Sequence, residues 1–285
     1  MMREILRTAA EYPSQLLPLK GGPDSLFVRG NIEALTKPPL ISVVGTRKVT
    51  PYGQAVVRQM VPIWARAGIT IVSGLALGTD ALAHQATLDA GGTTVAVLGS
   101  GIDNPSITPR TNYLLGQKIL ERGGALVTEY PPGTPADAFR FPERNRIVAG
   151  LAQALVVIEG SMKSGTLITA KCMLEYGREV FAVPGPITVE TSRGPNWLIS
   201  QGAYPLLQAE DLLDYLGLKQ TASDSAKVNL SPSAMEIFQQ LKLSPATADQ
   251  LAESLGLDTS VVLTAISELE LSGAAFRSGD AYTPS

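Results

Sequence analysis

Residues 139–185 read FRFPERNRIVAGLAQALVVIEGSMKSGTLITAKCMLEYGREVFAVPG, a pattern that predicts a strand, a turn and a helix in that order. The apolar run 154–158 has the length and composition of a buried strand, and the periodicity over about 166–176 is that of a helix. The turn between them is rich in glycine and serine and carries Lys163. Such a turn directs free backbone N–H groups and a lysine at one point, so it suits a phosphate.

The same stretch opens with a run in which cations alternate with groups that can stack on a base. The run contains Phe139, Arg140, Phe141, Arg144, Asn145 and Arg146. Single-stranded nucleic acid is commonly held by cationic grooves that also present aromatic side chains. We therefore expect this run to bind nucleic acid, and in an extended chain residues two apart would face the same side.

Residues 40–183 contain six short apolar runs, which begin about 25 to 31 residues apart with helical patterns between them. A parallel pair of strands needs a crossover of a dozen or more residues, so this spacing predicts repeated βα units. The runs are apolar throughout, as in strands that helices cover on both faces. The predicted fold class is α/β, a doubly wound and mostly parallel sheet with its ligand crevice at the carboxyl ends of the strands.

Small residues and cations follow four of these runs. The candidate binding residues there are Gly45, Arg47 and Lys48, then Ser73 and Gly74, then Gly99, Ser100 and Gly101, and finally Lys163, Ser164 and Gly165. One such turn could simply need glycine for a positive φ. Four turns at one edge, two of them with cations, favour a phosphate-binding edge.

The motifs of several phosphate-binding and metal-binding enzymes are missing from the sequence. A P-loop glycine spacing ends at Thr166, where the lysine is required. The turn at Gly99 has no third glycine at Asn104, so the dinucleotide motif is incomplete. One histidine and one cysteine cannot form a zinc site. We predict no catalytic residue, no metal and no cofactor, and a structural role for His84.

Composition indicates the compartment. The chain of 285 residues is 45% hydrophobic and contains no apolar run of membrane-spanning length. Its first residues lack an apolar core of signal-peptide length, and the single cysteine, Cys172, fits a reducing environment. We expect a soluble cytoplasmic protein without membrane contact.

Charge is distributed unevenly along the chain. Residues 228–285 hold Lys242 and Arg277 against seven acids, a net charge of −5, which leaves +2 on residues 1–227. A nucleic-acid footprint must therefore be a local patch within residues 1–227.

Seven ordered motifs over about residues 12–216 resemble the DprA/Smf family of DNA-processing proteins. They read VVGTRKVTPYG, IVSGLALGTDALAH, VAVLGSGIDNP, TEYPPG, FPERNRIVAGL, SGTLITAKCMLEYGREVFAVPG and GPNWLISQGA. Residues 231–283 resemble the winged-helix domain that many members carry. The domain prediction is an N-terminal extension with little regular structure packed on the core over 1–39, an extended Rossmann-like DNA-binding domain over 40–218, a linker over 219–230 and a winged-helix domain over 231–285.

The resemblance implies a non-enzymatic function. Family members bind single-stranded DNA in a positively charged pocket, dimerise and help load RecA recombinase onto the strand during natural transformation and recombination. By position, Arg47 and Lys163 would neutralise phosphates, and Phe141 would stack a base. Arg144 or Arg146 would fix the loop or reach the DNA backbone.

Two further details come from the resemblance. Some relatives place a lysine where Ala138 stands, and Arg140 is expected to substitute for it. The family's dimer contact falls on a region that here contains Leu198, Ile199 and Leu206, which a homodimer interface would bury.

The winged-helix region has three amphipathic patterns, over 233–242, 247–255 and 259–272, followed by a Gly-Asp turn that suits a small β-wing. The third helix carries Glu268 and Glu270 and no lysine or arginine, which disfavours contact with phosphates. We expect this domain to contact protein more than DNA.

A second function class remains open, a nucleotide-processing enzyme of the phosphoribohydrolase family, which has a related Rossmann-like fold. Its PGGxGTxxE signature is missing, because GSMKSGT stands at residues 160–166.

Overall fold

The computed structural model describes residues 2–19, 21–37, 39–218, 230–271, 274–278 and 281–284. The strands are β1 (Met2–Leu6), β2 (Ser25–Gly30), β3 (Leu40–Val44), β4 (Thr70–Ser73), β5 (Thr94–Val97), β6 (Ala125–Thr128), β7 (Ala154–Val157), β8 (Glu179–Ala182), β9 (Tyr204–Pro205), β10 (Ala275–Ser278) and β11 (Ala281–Pro284). The α-helices are α1 (Pro51–Arg66), α2 (Thr79–Asp89), α3 (Tyr113–Glu121), α4 (Arg140–Leu151), α5 (Gly165–Glu175), α6 (Arg193–Ser200), α7 (Ala209–Tyr215), α8 (Pro232–Leu243), α9 (Ala248–Leu255) and α10 (Thr259–Leu271). The chain divides into two compact units, Met1–Lys219 and Gln220–Ser285.

Within the described residues of the first unit, nine strands form one sheet in the order β1-β2-β6-β5-β4-β3-β7-β8-β9. The pairs from β6 through β3 to β9 are parallel, and the two pairs that β2 makes are antiparallel. The chain runs outward from β3 in both directions, so the order reverses between β3 and β7. This confirms the predicted doubly wound, mostly parallel sheet, and the reversal marks the place where such sheets bind ligands.

Helices cover both faces of the sheet, as the uninterrupted apolar runs predict. Ile41 and Val43 of β3 pack in a core with the fully buried Trp64 of α1. Their neighbours Leu40 and Val44 point the other way, into a core that contains Val148 of α4. Alternate side chains of one central strand therefore fix two helical layers, because successive side chains leave a strand on opposite faces.

The prediction that residues 1–39 have little regular structure is wrong. β1 and β2 form an antiparallel pair, and β2 continues the main sheet by pairing with β6. Leu26 and Val28 of β2 are buried. The segment joins the sheet because β6 would otherwise expose unpaired backbone groups along its edge.

The basic run is also a helix where an extended chain was expected. α4 begins at Arg140 and has Pro142 in its first turn, where the missing N–H costs no helical hydrogen bond. Ile147, Val148 and Leu151 are buried at helical spacing. This apolar period of the second half outweighs the alternation of Arg and Phe in the first half.

The second unit contains α8, α9 and α10, with β10 and β11 paired antiparallel. Its core holds Ile237, Leu251, Val262 and Leu269. Thr247 and Gln250 form a reciprocal cap at the start of α9. These elements are those of the predicted winged helix. The predicted linker, 219–230, lies outside the described residues except for residue 230, and the predicted wing turn, residues 279–280, lies wholly outside them.

Candidate nucleic-acid interface

A cavity of about 540 Å³ lies where the strand order reverses, at the carboxyl ends of β3 and β7. The turns after these two strands, the start of α4 and the first turns of α5 form its walls. Among the predicted binding residues, those that line it are Gly45, Arg47, Phe141, Arg144, Asn145, Lys163, Ser164 and Gly165. The sheet topology therefore brings together residues that are more than a hundred positions apart in the sequence.

Arg47 and Lys163 supply the accessible positive charge of the cavity. Both residues are exposed. Among the described residues, neither takes part in an ion pair. Their charges are therefore available for an anion.

The N-terminus of α5 adds to this field. Its N-cap residue, Ser164, makes no capping hydrogen bond from its side chain, since its hydroxyl pairs with that of Thr166. The positive end of the helix dipole faces the same cavity as Lys163, which favours a phosphate group.

One face of α4 supplies Phe141, Arg144 and Asn145, which are neighbours on a helix at spacings of three and four. The Arg47 guanidinium lies over the Phe141 ring at 5.2 Å from its centroid, a cation–π contact. The Asn145 amide donates to the carbonyl of Gly165 at 3.2 Å and so ties α4 to the start of α5. The face thus offers an aromatic surface beside a cation.

Arg144 is a buried structural residue. It is 5% exposed and donates to the carbonyl of Gly74 at 2.7 Å and to that of Val97. Burial lowers the pKa of its guanidinium, and the charge of the nearby Asp80 opposes that effect. Of the two sequence alternatives for Arg144, fixing the loop is the one that this geometry fits, because contact with the DNA backbone would need an exposed guanidinium.

Asp80, in the first turn of α2, stabilises the turn between β4 and α2 through hydrogen bonds. Its carboxylate accepts hydrogen bonds from the N–H groups of Gly74 at 3.1 Å and Ala76 at 3.4 Å. Burial raises the pKa of Asp80, while Arg144 and these N–H groups act in the opposite direction. The amide of Asn112 holds the other side of the turn by donating to the carbonyls of Leu75 and Ala76.

Ser73 and Gly74, predicted to touch a phosphate, do not line the cavity and use their polar groups within the protein. The Ser73 hydroxyl donates to the carbonyl of Val43 at 2.6 Å. The N–H of Gly74 is used by Asp80. A side chain at Gly74 would collide with the Arg144 guanidinium, so glycine is needed here for close packing.

The turn formed by Gly99, Ser100 and Gly101 also lies outside the cavity lining. Ser100 is buried, and the N–H of Gly101 donates to the carbonyl of Thr134 at 2.9 Å. A Cβ on Gly99 would lie 3.1 Å from the carbonyl oxygen of Arg140, at the start of α4. This turn packs against the start of α4, so direct DNA contact through it stays a prediction that the cavity lining does not support.

Three of the predicted cations do not line the cavity. Arg140 lies over the rings of Phe139 and Tyr130, and Arg146 pairs with Glu129. Lys48 is exposed on the same turn as Arg47 but does not line the cavity. The helical turn of α4 separates Arg140 and Arg146 from the face that carries Phe141.

The predicted dimer residues are mostly part of the core of one chain. Leu198 and Leu206 are 3% and 1% exposed, and Ile199 is half-buried against the core. Leu198 and Leu206 therefore have no surface to offer a second copy. The exposed large apolar side chains of this region include Trp197, Tyr204 and Leu207.

His84 has the structural role that the sequence predicts. It is fully buried in α2, and its Nδ1 lies 2.6 Å from the hydroxyl oxygen of Thr94. The Thr94 hydroxyl donates to the carbonyl of Ile71, so Nδ1 carries the proton and donates. Burial, with a smaller contribution from Arg144, lowers the pKa of His84 to about 3.

Sequence reasoning missed Asp80 and the apolar Ile168, which also lines the cavity. An acid in the first turn of a helix that follows a glycine-rich strand end could have indicated Asp80. The position of Ile168 depends on how α5 packs, which the sequence does not specify.

The cavity has the features of a binding site for a phosphate-bearing chain: accessible cations, a helix N-terminus and an aromatic face. Asp80 is the sole carboxylate among the described residues that line it, and backbone N–H groups occupy that carboxylate. The described residues contain no cluster of three or more His, Cys, Asp or Glu that could hold a metal ion. No helix in the described ranges combines the length and apolarity needed to cross a bilayer.

Comparison with known proteins gives the family. The model for DNA recombination-mediator protein A matches residues 3–217, and the model for the DprA winged helix domain matches residues 221–280. Protein Smf of Escherichia coli is 41% identical over 273 residues, which cover 92% of this chain and 72% of that protein. The DNA processing protein DprA of Bacillus subtilis is 41% identical over 209 residues, or 73% of this chain and 69% of that protein.

Solved structures of the same family have a similar fold. DprA from Streptococcus pneumoniae superposes with a TM-score of 0.70 at 38% identity, over 75% of this chain and 74% of that chain. The structure of DNA processing protein A from Helicobacter pylori, which concerns its single-stranded DNA binding mode, gives 0.68 at 26% identity over 75% of this chain and 95% of that chain. With two family models spanning both units and relatives at this identity, the chain belongs to the DprA/Smf family of DNA-processing proteins.

Proposed function

We propose that this chain is a single-stranded DNA-binding recombination mediator and that the cavity at the switch point holds the strand. The observation that carries the proposal is the convergence of Arg47, Lys163, the N-terminus of α5 and the Phe141 ring on one cavity. Cations and stacking faces together are what a single strand requires. The single-stranded DNA binding of the Helicobacter pylori relative supports the same substrate.

The test is binding of fluorescent oligo-dT, measured by anisotropy at several salt concentrations. Arg47→Ala and Lys163→Ala should each weaken binding and each lower the salt slope by about 0.7, the value for one phosphate contact on a single strand. Lys118→Ala is the matched control, because Lys118 is an exposed cation on α3 outside the cavity. Unchanged affinity and salt slope in both folded cavity variants would refute the assignment.

An enzyme of the phosphoribohydrolase type is the alternative. Such an enzyme needs a carboxylate free to face its substrate, whereas the Asp80 carboxylate is engaged by N–H groups of Gly74 and Ala76. We infer that the site binds and does not catalyse. Release of base or ribose phosphate from nucleoside monophosphates by the purified protein would contradict this inference.

The proposed cellular role rests on the family and on the proposed substrate. We propose that the protein protects incoming or exposed single strands in the cytoplasm and helps to load RecA recombinase on them, as in natural transformation. The protein should shorten the lag of RecA filament formation on strands that are coated with single-strand-binding protein. No change in the lag in the presence of a DNA-binding-competent protein would remove RecA loading from the proposal.

We further propose a homodimer, formed through the exposed Tyr204 of the edge strand β9 and the exposed Leu207 just after it. A dimer of this kind would bury the same patch on both subunits. Leu207→Glu should give a folded monomer by light scattering, since Leu207 is 70% exposed and its side chain is not needed for the core. A monomeric wild type at micromolar concentration would refute the dimer.

A further inference from the structure

Glu159 lies two residues beyond β7, at the edge of the sheet where the cavity is found, but it does not line the cavity. The residue is 1% exposed, and within the described ranges it takes part in no ion pair. A buried carboxylate is costly unless hydrogen bonds replace its hydration. The donors that surround Glu159 therefore indicate what it does.

Three donors from other parts of the chain reach the Glu159 carboxylate. Its Oε2 accepts a hydrogen bond from the backbone N–H of Thr50 at 2.9 Å, and its Oε1 accepts from the hydroxyls of Thr50 at 2.6 Å and Thr191 at 3.1 Å. Thr50 is the N-cap of α1, and its hydroxyl accepts the N–H of Gly53 at 3.2 Å. A Cβ on Gly53 would lie 2.3 Å from Oε2, so the first turn of α1 packs directly on the carboxylate. One side chain thus joins the end of β7 to the start of α1.

The turn between β3 and α1, residues 45–50, carries Arg47 and is anchored at two places. Thr79, the first residue of α2, donates its N–H at 3.1 Å and its hydroxyl at 3.2 Å to the carbonyl of Thr46. Glu159 holds the other end of the turn through the hydrogen bonds described above. Arg47 lies between the two anchors, so the place of its guanidinium in the cavity depends on both.

The turn that carries Lys163 has different supports. The N–H of Gly160 donates to the carbonyl of Thr191 at 2.6 Å, and the N–H of Gly194 donates to the carbonyl of Gly160 at 2.8 Å. These are backbone contacts, which a change in the Glu159 side chain leaves in place. The carboxylate therefore acts on the turn of Arg47 and not on that of Lys163.

We propose that Glu159 is a positioning residue of the DNA site. Its carboxylate fixes the end of the turn 45–50 and so places Arg47 where it and Lys163 meet the same DNA strand. Glu159 itself contacts no DNA, because it is buried outside the cavity lining. This inference rests on the proposed function and deepens it, since it makes the contribution of one cation depend on a buried acid.

The first experiment is a pair of double-mutant cycles on the full chain, with oligo-dT affinity measured by anisotropy. Glu159→Gln keeps the size of the side chain but leaves one acceptor oxygen for three donors. It should weaken binding by no more than Arg47→Ala does. In the Glu159→Gln background the cost of Arg47→Ala should shrink by a factor of at least about 2, the lower bound for couplings between residues of one network. The cost of Lys163→Ala should be the same in both backgrounds.

Asp103→Asn is the matched control for the loss of a carboxylate. The Asp103 carboxylate accepts hydrogen bonds from the N–H of Gly133 at 2.7 Å and the hydroxyl of Ser106 at 2.9 Å, and it does not line the cavity. In this background the cost of Arg47→Ala should keep its wild-type value. Thermal unfolding of each variant establishes that it is folded.

Thr50→Val tests the same contact from the other side, and it decides the question if Glu159→Gln fails to fold. Valine has nearly the shape of threonine but no hydroxyl, so Oε1 of Glu159 loses its 2.6 Å hydrogen bond. The cost of Arg47→Ala should shrink in this background as well. Thr50→Ser retains the hydroxyl, and the cost of Arg47→Ala should return to its wild-type value.

The outcomes separate this inference from the proposed function. An unchanged cost of Arg47→Ala in the folded Glu159→Gln and Thr50→Val backgrounds would overturn the role of Glu159 and leave the cavity assignment intact. An equal reduction in the costs of Arg47→Ala and Lys163→Ala would show general damage to the cavity and would also overturn that role. If neither Arg47→Ala nor Lys163→Ala weakens binding of the wild-type protein, the proposed function fails, and this inference fails with it.

Discussion

Replacing Arg144 tests whether this arginine holds the site together or contacts DNA. In Arg144→Met, the carbonyls of Gly74 and Val97 lose their donor, and Asp80 loses the nearby positive charge. Each unsatisfied buried acceptor costs about 1 to 3 kcal/mol, and leaving the buried Asp80 carboxylate without the nearby positive charge adds to that cost. We expect a loss of about 3 to 5 kcal/mol in the free energy of unfolding, a large part of the stability of a typical domain.

The assay is urea unfolding followed by tryptophan fluorescence. Both tryptophans of the sequence, Trp64 and Trp197, lie in the first unit, so the signal follows that unit alone. Asp80→Asn added to Arg144→Met should recover part of the loss, because a neutral amide needs no opposite charge and can still accept the N–H of Gly74. Arg144→Lys keeps the charge and is the conservative control.

A different result would favour the other sequence-based alternative for Arg144, contact with the DNA backbone. If Arg144→Met keeps the wild-type unfolding free energy but loses affinity and salt slope for oligo-dT, then Arg144 contacts a phosphate.

Three further predictions concern other parts of the molecule. Phe141→Ala should cost about 1 to 3 kcal/mol of oligo-dT binding free energy with little change in salt slope, since the half-buried ring offers a stacking face. A variant that mainly loses thermal stability would show that the ring belongs to the protein core. The buried His84 has a folded pKa of about 3, below its value near 6.5 in the unfolded chain, so the unfolded state binds more protons at low pH and stability falls as pH drops below 6.5. The contribution of His84 to the slope of the unfolding free energy against pH should approach about 1.4 kcal/mol per pH unit near pH 5 and should be absent in His84→Leu. Urea unfolding at several pH values measures both slopes, and equal slopes in the two proteins would contradict the lowered pKa. Deletion of residues 225–285 should leave oligo-dT affinity nearly unchanged at constant salt, because α10 contains no lysine or arginine and its Glu268 accepts hydrogen bonds from the backbone N–H and hydroxyl of Ser231. A large loss of affinity would assign DNA contact to the second unit.

The sequence alone determined the parallel core of the sheet and the turns that end its strands. Runs such as residues 40–44 and 154–158 are apolar on both faces, and only a strand between two helical layers can bury both. The spacing between the runs leaves room for one helix each, which fixes parallel pairing. The motif around Lys163 and the glycine after β3 follow from the same local pattern, so Arg47 and Lys163 could be predicted as cavity residues without a structure.

Tertiary structure decided which of the remaining candidates reach the cavity. Gly74, Gly99 and Arg144 all stand at strand ends or in the basic run, yet their polar groups and close contacts are used within the protein. The sequence shows that a residue type can bind a phosphate. It does not show whether a residue distant in the chain already occupies its hydrogen-bonding groups. That neighbour is Asp80 for Gly74, and it is Gly74 and Val97 for Arg144.

The antiparallel strands β1 and β2 and the apolar faces at α6 were decided in the same way. Residues 25–30 become a strand because the edge of β6 supplies a partner, and residues 2–6 then pair with β2. No local sequence pattern predicts either pairing. The apolar pattern around Leu198 does not distinguish an interface from a core. Burial of Leu198 and exposure of Trp197, adjacent residues on one helix, follow only from the position of α6 against the sheet and α5.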